Sequence, residues 1–340
     1  MFGRLASVAF LLAFLPLVAA ADPTPTRQFS VKDDRALLDG KPVKLWGLRC
    51  GNALFDDTVT ERHVNTLNNM AAHGINCIGV YIQGSNGGWP DAEAGLNGFT
   101  RTGKIKPAVG KRLELLVREA DKRGMVVMVG LISPRKDQAL YDDDAIKTAV
   151  EETAKFLTEK KLRNVFVDLC HEFNNEERID HPLLREPEGA KKKAKLADWF
   201  TKFAPDVPVG VCPAEKTDTA DEFPGMTARL IQKKMPIPKT GWVVNVETPR
   251  YDEYANDGVF KRSDFEDMTA MFEAYKKADN AAMLFHAAYI QGIGNASKTA
   301  PHAEMGGGGT GPDDRGVGFY YQWVRDNVGK WEYPEHKPAR

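Results

Sequence analysis

The feature that most constrains the fold is a regular alternation of short apolar runs with longer amphipathic segments. The apolar runs are hydrophobic at nearly every position, which predicts strands buried on both faces. The intervening segments repeat apolar residues three and four positions apart, which predicts helices. Strands that alternate with helices in this way are typical of a parallel sheet. The predicted strands end near 50 and lie at 75–82, 125–132, 164–170, 207–212, 228–231, 241–247 and 281–290, and 228–231 has the weakest pattern.

Seven clear strand–helix units and one blurred unit predict an α/β fold, specifically a (β/α)8 TIM barrel. An open, doubly wound sheet is the alternative. It is disfavoured because no Gly-x-Gly-x-x-Gly turn follows the first strand. Ahead of the barrel, the segment from Arg27 to Leu48 predicts an N-terminal β-hairpin that turns at Asp39-Gly40.

The first 21 of the 340 residues have the pattern of a secretory signal peptide. Arg4 precedes an apolar run at 8–17, and small residues follow at Ala19, Ala20 and Ala21. We therefore predict a signal peptide at 1–21, a secreted or periplasmic protein, and a single barrel domain at 22–340. No later apolar run is long enough to span a bilayer, so no membrane contact is expected after cleavage, and we expect a monomer.

Charge and cysteine content exclude several classes of partner. Acidic and basic residues number 47 and 46, so nothing indicates a nucleic-acid surface. The basic cluster at 191–195 falls on an amphipathic helix and is predicted to be a solvated face. The spacing of Cys50, Cys77, Cys170 and Cys212 matches neither a zinc ribbon nor a small disulfide framework. Buried thiols are predicted, with Cys50–Cys77 as the first pair to test for a disulfide, and no cofactor is expected.

The stretch DLCHEFNN, which begins at Asp168, carries the first functional signal. A zinc-binding His-Glu-x-x-His helix would need a second histidine at Asn175, so a metal site is disfavoured. Instead, Glu172 follows a predicted strand, as Glu247 does after WVVNV. TIM barrels carry their chemistry at the carboxyl ends of strands, and a pair of carboxylates is what glycoside hydrolysis requires. The alternative is that each glutamate is a satisfied strand-end carboxylate.

The chain resembles the clan A glycoside hydrolases, and is most similar to the cellulase-like glycoside hydrolase family 5. Similar segments include LLDGKPVKLWGLRCGN, NNMAAHGINCIGV and VREADKRGMVVMVGLIS, and the resemblance covers nearly the whole mature chain. VFVDLCHEF is similar to the family's fourth strand and WVVNVETPRY to its seventh. The resemblance implies that Glu172 is the acid/base and Glu247 the nucleophile.

The chain departs from the family pattern at four positions. Gly79 stands where the family usually has arginine in strand two, and His171 stands where it has asparagine. Ser133 replaces a histidine after strand three, and His286 replaces a tryptophan after strand eight. These departures leave the sugar specificity open, and to a lesser degree activity itself.

Other side chains offer substitutes for the missing groups. Arg49 ends the first strand and is a candidate charge partner for the nucleophile. His171 and His286 are candidate donors to sugar hydroxyls, although each also fits as a packed histidine. Tyr251 is a further candidate donor, and Trp89, in a long loop, is a candidate platform for a sugar ring.

These observations predict an exported, retaining glycoside hydrolase that acts on a poly- or oligosaccharide. The alternative from another class is a glycan-binding TIM barrel without catalytic activity, which the four departures motivate. A metal-dependent hydrolase is a third possibility, but the seven histidines are scattered along the chain.

Overall fold

The computed structural model describes residues 23–85, 97–175, 177–185, 189–214, 225–248, 262–286 and 315–333. The chain begins with a small antiparallel sheet of β1 (Phe29–Lys32), β2 (Arg35–Leu38) and β3 (Lys41–Pro42). The predicted turn at Asp39-Gly40 is confirmed, with φ of 50° and 73°. A second turn at Asp33-Asp34, with φ of 50° and 61°, divides the first arm of the predicted hairpin into two strands.

Eight parallel strands form the barrel, in the order β8-β7-β6-β5-β4-β11-β10-β9. The backbone N–H of Thr227 donates to the carbonyl of Val209 at 2.9 Å, which joins the two ends of this sheet. The protein therefore has the predicted (β/α)8 TIM barrel fold. Its strands are β4 (Trp46–Arg49), β5 (Cys77–Tyr81), β6 (Val126–Ile132), β7 (Val165–His171), β8 (Val209–Cys212), β9 (Ala228–Ile231), β10 (Trp242–Asn245) and β11 (Ala281–Phe285).

Helices follow most of the strands and cover the outside of the barrel, but the described connection between β9 and β10, residues 232–241, contains none. Two of the helices begin at aspartate N-caps, where Asp56 accepts from the N–H of Val59 and Asp142 from that of Ala145. The described helices are α1 (Asp57–Ala72), α2 (Pro107–Asp121), α3 (Asp143–Glu159), α4 (Gly189–Thr201), α5 (Arg262–Lys277) and α6 (Arg315–Asn327), with a 3-10 turn at Asp137–Ala139.

The barrel interior is closed at its amino-terminal end by the small N-terminal sheet. Phe29 of β1 packs against Phe166 and Trp242 inside the barrel, with ring centroids 5.8 and 5.3 Å away. Leu38 of β2 is fully buried in the same cluster. Because this end is sealed by apolar side chains, polar groups inside the barrel are concentrated toward the opposite mouth.

The four cysteines are free and buried, as the prediction of buried thiols required, and Cys50 and Cys77 form no disulfide. Burial raises the pKa of both thiols well above the ordinary value, which keeps them protonated. Within the described residues, no helix is both long and apolar enough to cross a membrane.

Candidate active site

Five of the predicted site residues lie together at the carboxyl-terminal mouth of the barrel. Arg49 and His171 end β4 and β7, Glu172 follows β7, and Glu247 and His286 lie just beyond β10 and β11. All five are almost fully buried. The other two predicted residues, Trp89 and Tyr251, lie outside the described residues.

Glu247 is the centre of this cluster. Its Oε2 accepts a hydrogen bond from Nη1 of Arg49 at 2.8 Å. Nδ1 of His286 lies 3.5 Å from the same oxygen, and Nε2 of His171 lies 4.0 Å from it. The backbone N–H of Glu247 donates to Oδ1 of Asn245 at 3.0 Å, so the side chain two residues earlier fixes this strand end.

These contacts influence the protonation of Glu247 and His286. Burial alone would raise the pKa of the Glu247 carboxyl, but His286 and Arg49 outweigh it and hold that pKa well below its usual range. Burial also lowers the pKa of His286, against the pull of the nearby carboxylate. The positive charge of Arg49 is permanent, so it favours an ionised Glu247 independently of the charge on His286.

A chain of hydrogen bonds continues beneath Glu247. Nη2 of Arg49 lies 3.0 Å from Nε2 of His171, and Nδ1 of His171 lies 3.2 Å from Oδ2 of Asp168. The hydroxyl of Tyr81 also donates to Oδ2 of Asp168, at 3.3 Å, while the Arg49 guanidinium lies over the Tyr81 ring at 4.9 Å. The sequence did not single out Asp168 or Tyr81 as site residues.

An irregularity in β7 explains why Asp168 and His171 meet. Residues three apart on a regular strand point to opposite faces. The pairing of β7 with β8 shifts register between Asp168 and His171, as in a β-bulge, and this turns both side chains toward the barrel interior. The one available sequence signal was a charged residue within an otherwise apolar strand.

Space for Tyr81 comes from the neighbouring strand. Gly130 of β6 lies beneath the Tyr81 ring, and a Cβ built at Gly130 would lie 2.1 Å from a ring carbon. The ring is consequently fully buried, and burial raises the pKa of the phenol well above its usual value. Tyr81 therefore remains a neutral hydrogen-bond donor.

Glu172 occupies a different environment from Glu247. Its backbone has a φ of 49°, in the left-handed region that few residues other than glycine adopt. This conformation ends β7 and begins the turn that follows. Oε2 of Glu172 accepts from Nη1 of Arg178 at 3.2 Å, and Arg178 is 40% exposed. Single ligand atoms of His171, Glu172 and Glu247 all lie within 4.8 Å of one another, so the two carboxylates face each other closely.

Two of the four departures from the family pattern have a structural explanation. Gly79, where the family usually has arginine, pairs in register with Arg49 on the adjacent strand. Arg49 thus supplies a guanidinium at the same height from one strand away. Ser133 is buried, where its hydroxyl donates to the carbonyl of Gly84 at 2.8 Å and its N–H to Oε1 of Gln83 at 3.0 Å. Its role in the described residues is to connect two loops.

The cluster has the donor types of a metal site, because His171, Glu172 and Glu247 each offer a ligand atom. However, the Arg49 guanidinium already contacts two of these three groups, at 2.8 and 3.0 Å. A cation bound between them would meet that fixed positive charge at close range. The arrangement favours an ion pair over a metal centre.

The closed barrel, which carries two facing carboxylates at its mouth, defines the class of fold. Solved structures with a similar fold support this class. The chain is similar to a beta-glucanase from Saccharophagus degradans, at 13% identity and a TM-score of 0.56, over 93% of this chain and 98% of the other. A cellulase, Cel5C_n, matches at 13% identity and a TM-score of 0.57, over 90% and 94%. A beta-mannanase from the blue mussel Mytilus edulis matches at 13% identity and a TM-score of 0.50, over 91% and 99%.

The protein thus has the fold of the glycoside hydrolases of family 5. The chain spans only 43% and 63% of the length of two structures from Bacteroides vulgatus, the second of which is a glycoside hydrolase of family 5. No protein-family model and no curated protein sequence matches the chain. At these identities the likeness establishes the fold alone, and the chemistry depends on the residues of the site.

Proposed function

We propose that this protein is an exported glycoside hydrolase that cleaves O-glycosidic bonds of a poly- or oligosaccharide with retention of configuration. The observation that carries the proposal is the pair of carboxylates of Glu172 and Glu247. One oxygen of each carboxylate lies within 4.8 Å of an oxygen of the other, at the mouth of a barrel and on the segments after β7 and β10. Retaining enzymes require carboxyl groups about 5–5.5 Å apart, whereas inverting enzymes require roughly 6.5–9.5 Å to accommodate a water.

Glu247 is the proposed nucleophile because its surroundings keep it negatively charged. The lowered pKa of Glu247, sustained by His286 and Arg49 against the effect of burial, ensures a carboxylate at neutral pH. Its contacts to Arg49, His171 and His286 all fall on Oε2. Among the described residues this leaves Oε1 as the oxygen that would attack the anomeric carbon.

Glu172 is the proposed acid/base. It would protonate the leaving oxygen in the first step and remove a proton from water in the second. Its contact Arg178 is partly exposed, so this ion pair can open when a substrate enters. The unusual backbone conformation of Glu172 is the kind of strain that accumulates at functional sites.

The substrate and the cellular location are also proposals. The similar structures carry the names of a cellulase, a beta-glucanase and a beta-mannanase, so β-linked glucans and mannans are the first polysaccharides to test. Export is supported by the signal-peptide pattern at 1–21 in a chain that we treat as one monomeric domain from 22 to 340.

A reducing-end assay over a panel of glucans, mannans and their oligosaccharides tests the proposal. We expect new reducing ends from the wild-type protein and none from Glu172→Gln or Glu247→Gln. Glu266→Gln is the matched control, because Glu266 is 65% exposed on α5, and it should retain full activity. Added azide should partly restore Glu247→Ala, since a small anion can occupy the vacated space.

Two results would contradict the proposal. An active Glu172→Gln, Glu247→Gln double variant would show that the chemistry lies elsewhere. Glycan binding by the wild-type protein without any product would favour the alternative, a glycan-binding barrel that lacks activity. If product forms, proton NMR of the first-formed anomer separates retention from inversion before mutarotation.

A further inference from the structure

A third buried carboxylate lies below the proposed reaction centre, and the two-glutamate chemistry does not use it. Asp168 is fully buried in β7. Its Oδ2 receives two contacts, from the hydroxyl of Tyr81 at 3.3 Å and from Nδ1 of His171 at 3.2 Å. A buried carboxylate is costly unless hydrogen bonds compensate for the lost hydration. The presence of Asp168 here, together with the two donors that it requires, therefore needs an explanation.

The direction of the hydrogen bonds follows from Arg49. A guanidinium can only donate, so Nε2 of His171, 3.0 Å from Nη2 of Arg49, must be the acceptor in that contact. A neutral imidazole that accepts at Nε2 carries its proton on Nδ1. That proton then points at Asp168, whose carboxylate accepts it. The contacts together assign one tautomer to His171.

We propose that Asp168 is a positioning residue that acts on the nucleophile through His171 and Arg49. Asp168 fixes the Nδ1–H tautomer, which leaves the Nε2 lone pair of His171 free to accept from Arg49. Because Nη2 of Arg49 is held by His171, Nη1 of Arg49 is directed at Oε2 of Glu247. This inference rests on the proposed function for its catalytic part and on hydrogen-bond geometry for its structural part.

The surroundings of His171 support this chain of contacts. Arg49 approaches from β4, Tyr81 from β5 and Glu247 from beyond β10, while Cys212 of β8 is its register partner. The opposite tautomer would place an N–H of His171 against the N–H of Arg49, donor against donor. Arg49 would then have to move, and the orientation of the Glu247 carboxylate would be lost.

The first test is nitrogen-15 NMR of the histidine rings, which distinguishes Nδ1–H from Nε2–H without any substrate. We expect the Nδ1–H form for His171 in the wild-type protein at neutral pH, assigned by difference from a His171→Asn variant. In Asp168→Asn, the side-chain amide can donate to Nδ1, so we expect the Nε2–H form to become populated. A wild-type Nε2–H tautomer would overturn the proposal even if Asp168→Asn does not fold.

The second test is a double-mutant cycle of kcat. Reversing a catalytic tautomer costs roughly 10⁴-fold where the histidine touches the nucleophile directly, so one step further away we expect a loss of about 10- to 100-fold in Asp168→Asn. KM should change little. In the His171→Asn background, Asp168→Asn should reduce kcat less than about twofold, because no tautomer remains to be fixed.

The same fold loss in both backgrounds would mean that Asp168 only stabilises the barrel, and would overturn the proposal. A wild-type protein that shows the Nδ1–H form but cleaves no glycan would instead overturn the proposed function and, with it, the catalytic part of this inference. The NMR result therefore separates the two failures.

Discussion

Removing the positive charge of Arg49 should destabilise the protein far more than removing an exposed arginine. In Arg49→Met, the Glu247 carboxylate would lose a 2.8 Å partner at a site where both side chains are only 5% and 6% exposed. Breaking a buried ion pair from one side costs about 3–5 kcal/mol. His286 remains 3.5 Å from the same oxygen and offsets part of the loss. We therefore expect a decrease of about 3 kcal/mol in the free energy of unfolding at pH 7.

The matched control is Arg35→Met. Arg35 forms an ion pair with Asp279 at 3.5 Å, but their side chains are 59% and 81% exposed. Such a pair contributes about 0–1 kcal/mol because water and salt screen it. Urea denaturation of the wild-type protein and both variants at pH 7 gives the comparison directly.

The pH dependence provides the decisive measurement. Because the folded-state pKa of Glu247 is depressed, its ion pair stabilises the fold above the unfolded-state pKa of about 4.3, and this stability is lost as the pH falls toward the folded-state pKa. The deficit of Arg49→Met relative to wild type should therefore be largest at neutral pH and shrink as the pH falls below about 4. A deficit equal to that of Arg35→Met, or one that grows on acidification, would refute the electrostatic reasoning.

Three further predictions concern the supports of the site and the barrel. Gly130→Ala should displace the Tyr81 ring, because the added Cβ would overlap it, and should therefore lower the melting temperature and reduce kcat about tenfold. Unchanged kinetics would show that the position of the Tyr81 ring is unimportant. Asn164→Ala should lower the free energy of unfolding by about 2 kcal/mol and leave kcat unchanged, because the buried Asn164 amide donates to two backbone carbonyls at 3.1 and 3.0 Å. Urea denaturation measures this loss, and Asn327→Ala is the control, because the half-buried Asn327 donates to one backbone carbonyl. The four buried thiols should react with a thiol reagent only after unfolding, so fast labelling of the native protein would contradict their burial.

Periodicity was sufficient to predict the barrel, and the Asp39-Gly40 pair predicted one of the two N-terminal turns. Even the weak strand at Ala228–Ile231 is present where the pattern indicated it. The turn at Asp33-Asp34 was missed because it lacks the Asn-Gly or Asp-Gly pair that usually signals such a hairpin. Aspartate tolerates the left-handed region well enough that no glycine is needed there.

The candidate site was predictable only where it follows strand alternation. Glu247 and Arg49 lie at strand ends, and their ion pair could be anticipated from that position. The contact between Asp168 and His171 could not be anticipated, because regular strand alternation places these two side chains on opposite faces. A bulge that depends on the pairing of β7 with β8 brings them to the same face. The role of Tyr81 could not be predicted from the sequence either, because its inward position depends on a glycine on the next strand.

The register between Arg49 and Gly79 has a consequence for how proteins with this fold diverge. In a closed barrel the carboxyl ends of all strands meet at the same rim. A charged side chain that is needed at one point of the rim can therefore come from either of two neighbouring strands. A lineage can therefore exchange the strand that bears the arginine while the buried carboxylate keeps its partner. Position-by-position comparison would record a loss on one strand and an unrelated gain on another. Conservation at such a rim is better measured by the groups within reach of the buried carboxylate than by the residue type in each aligned column.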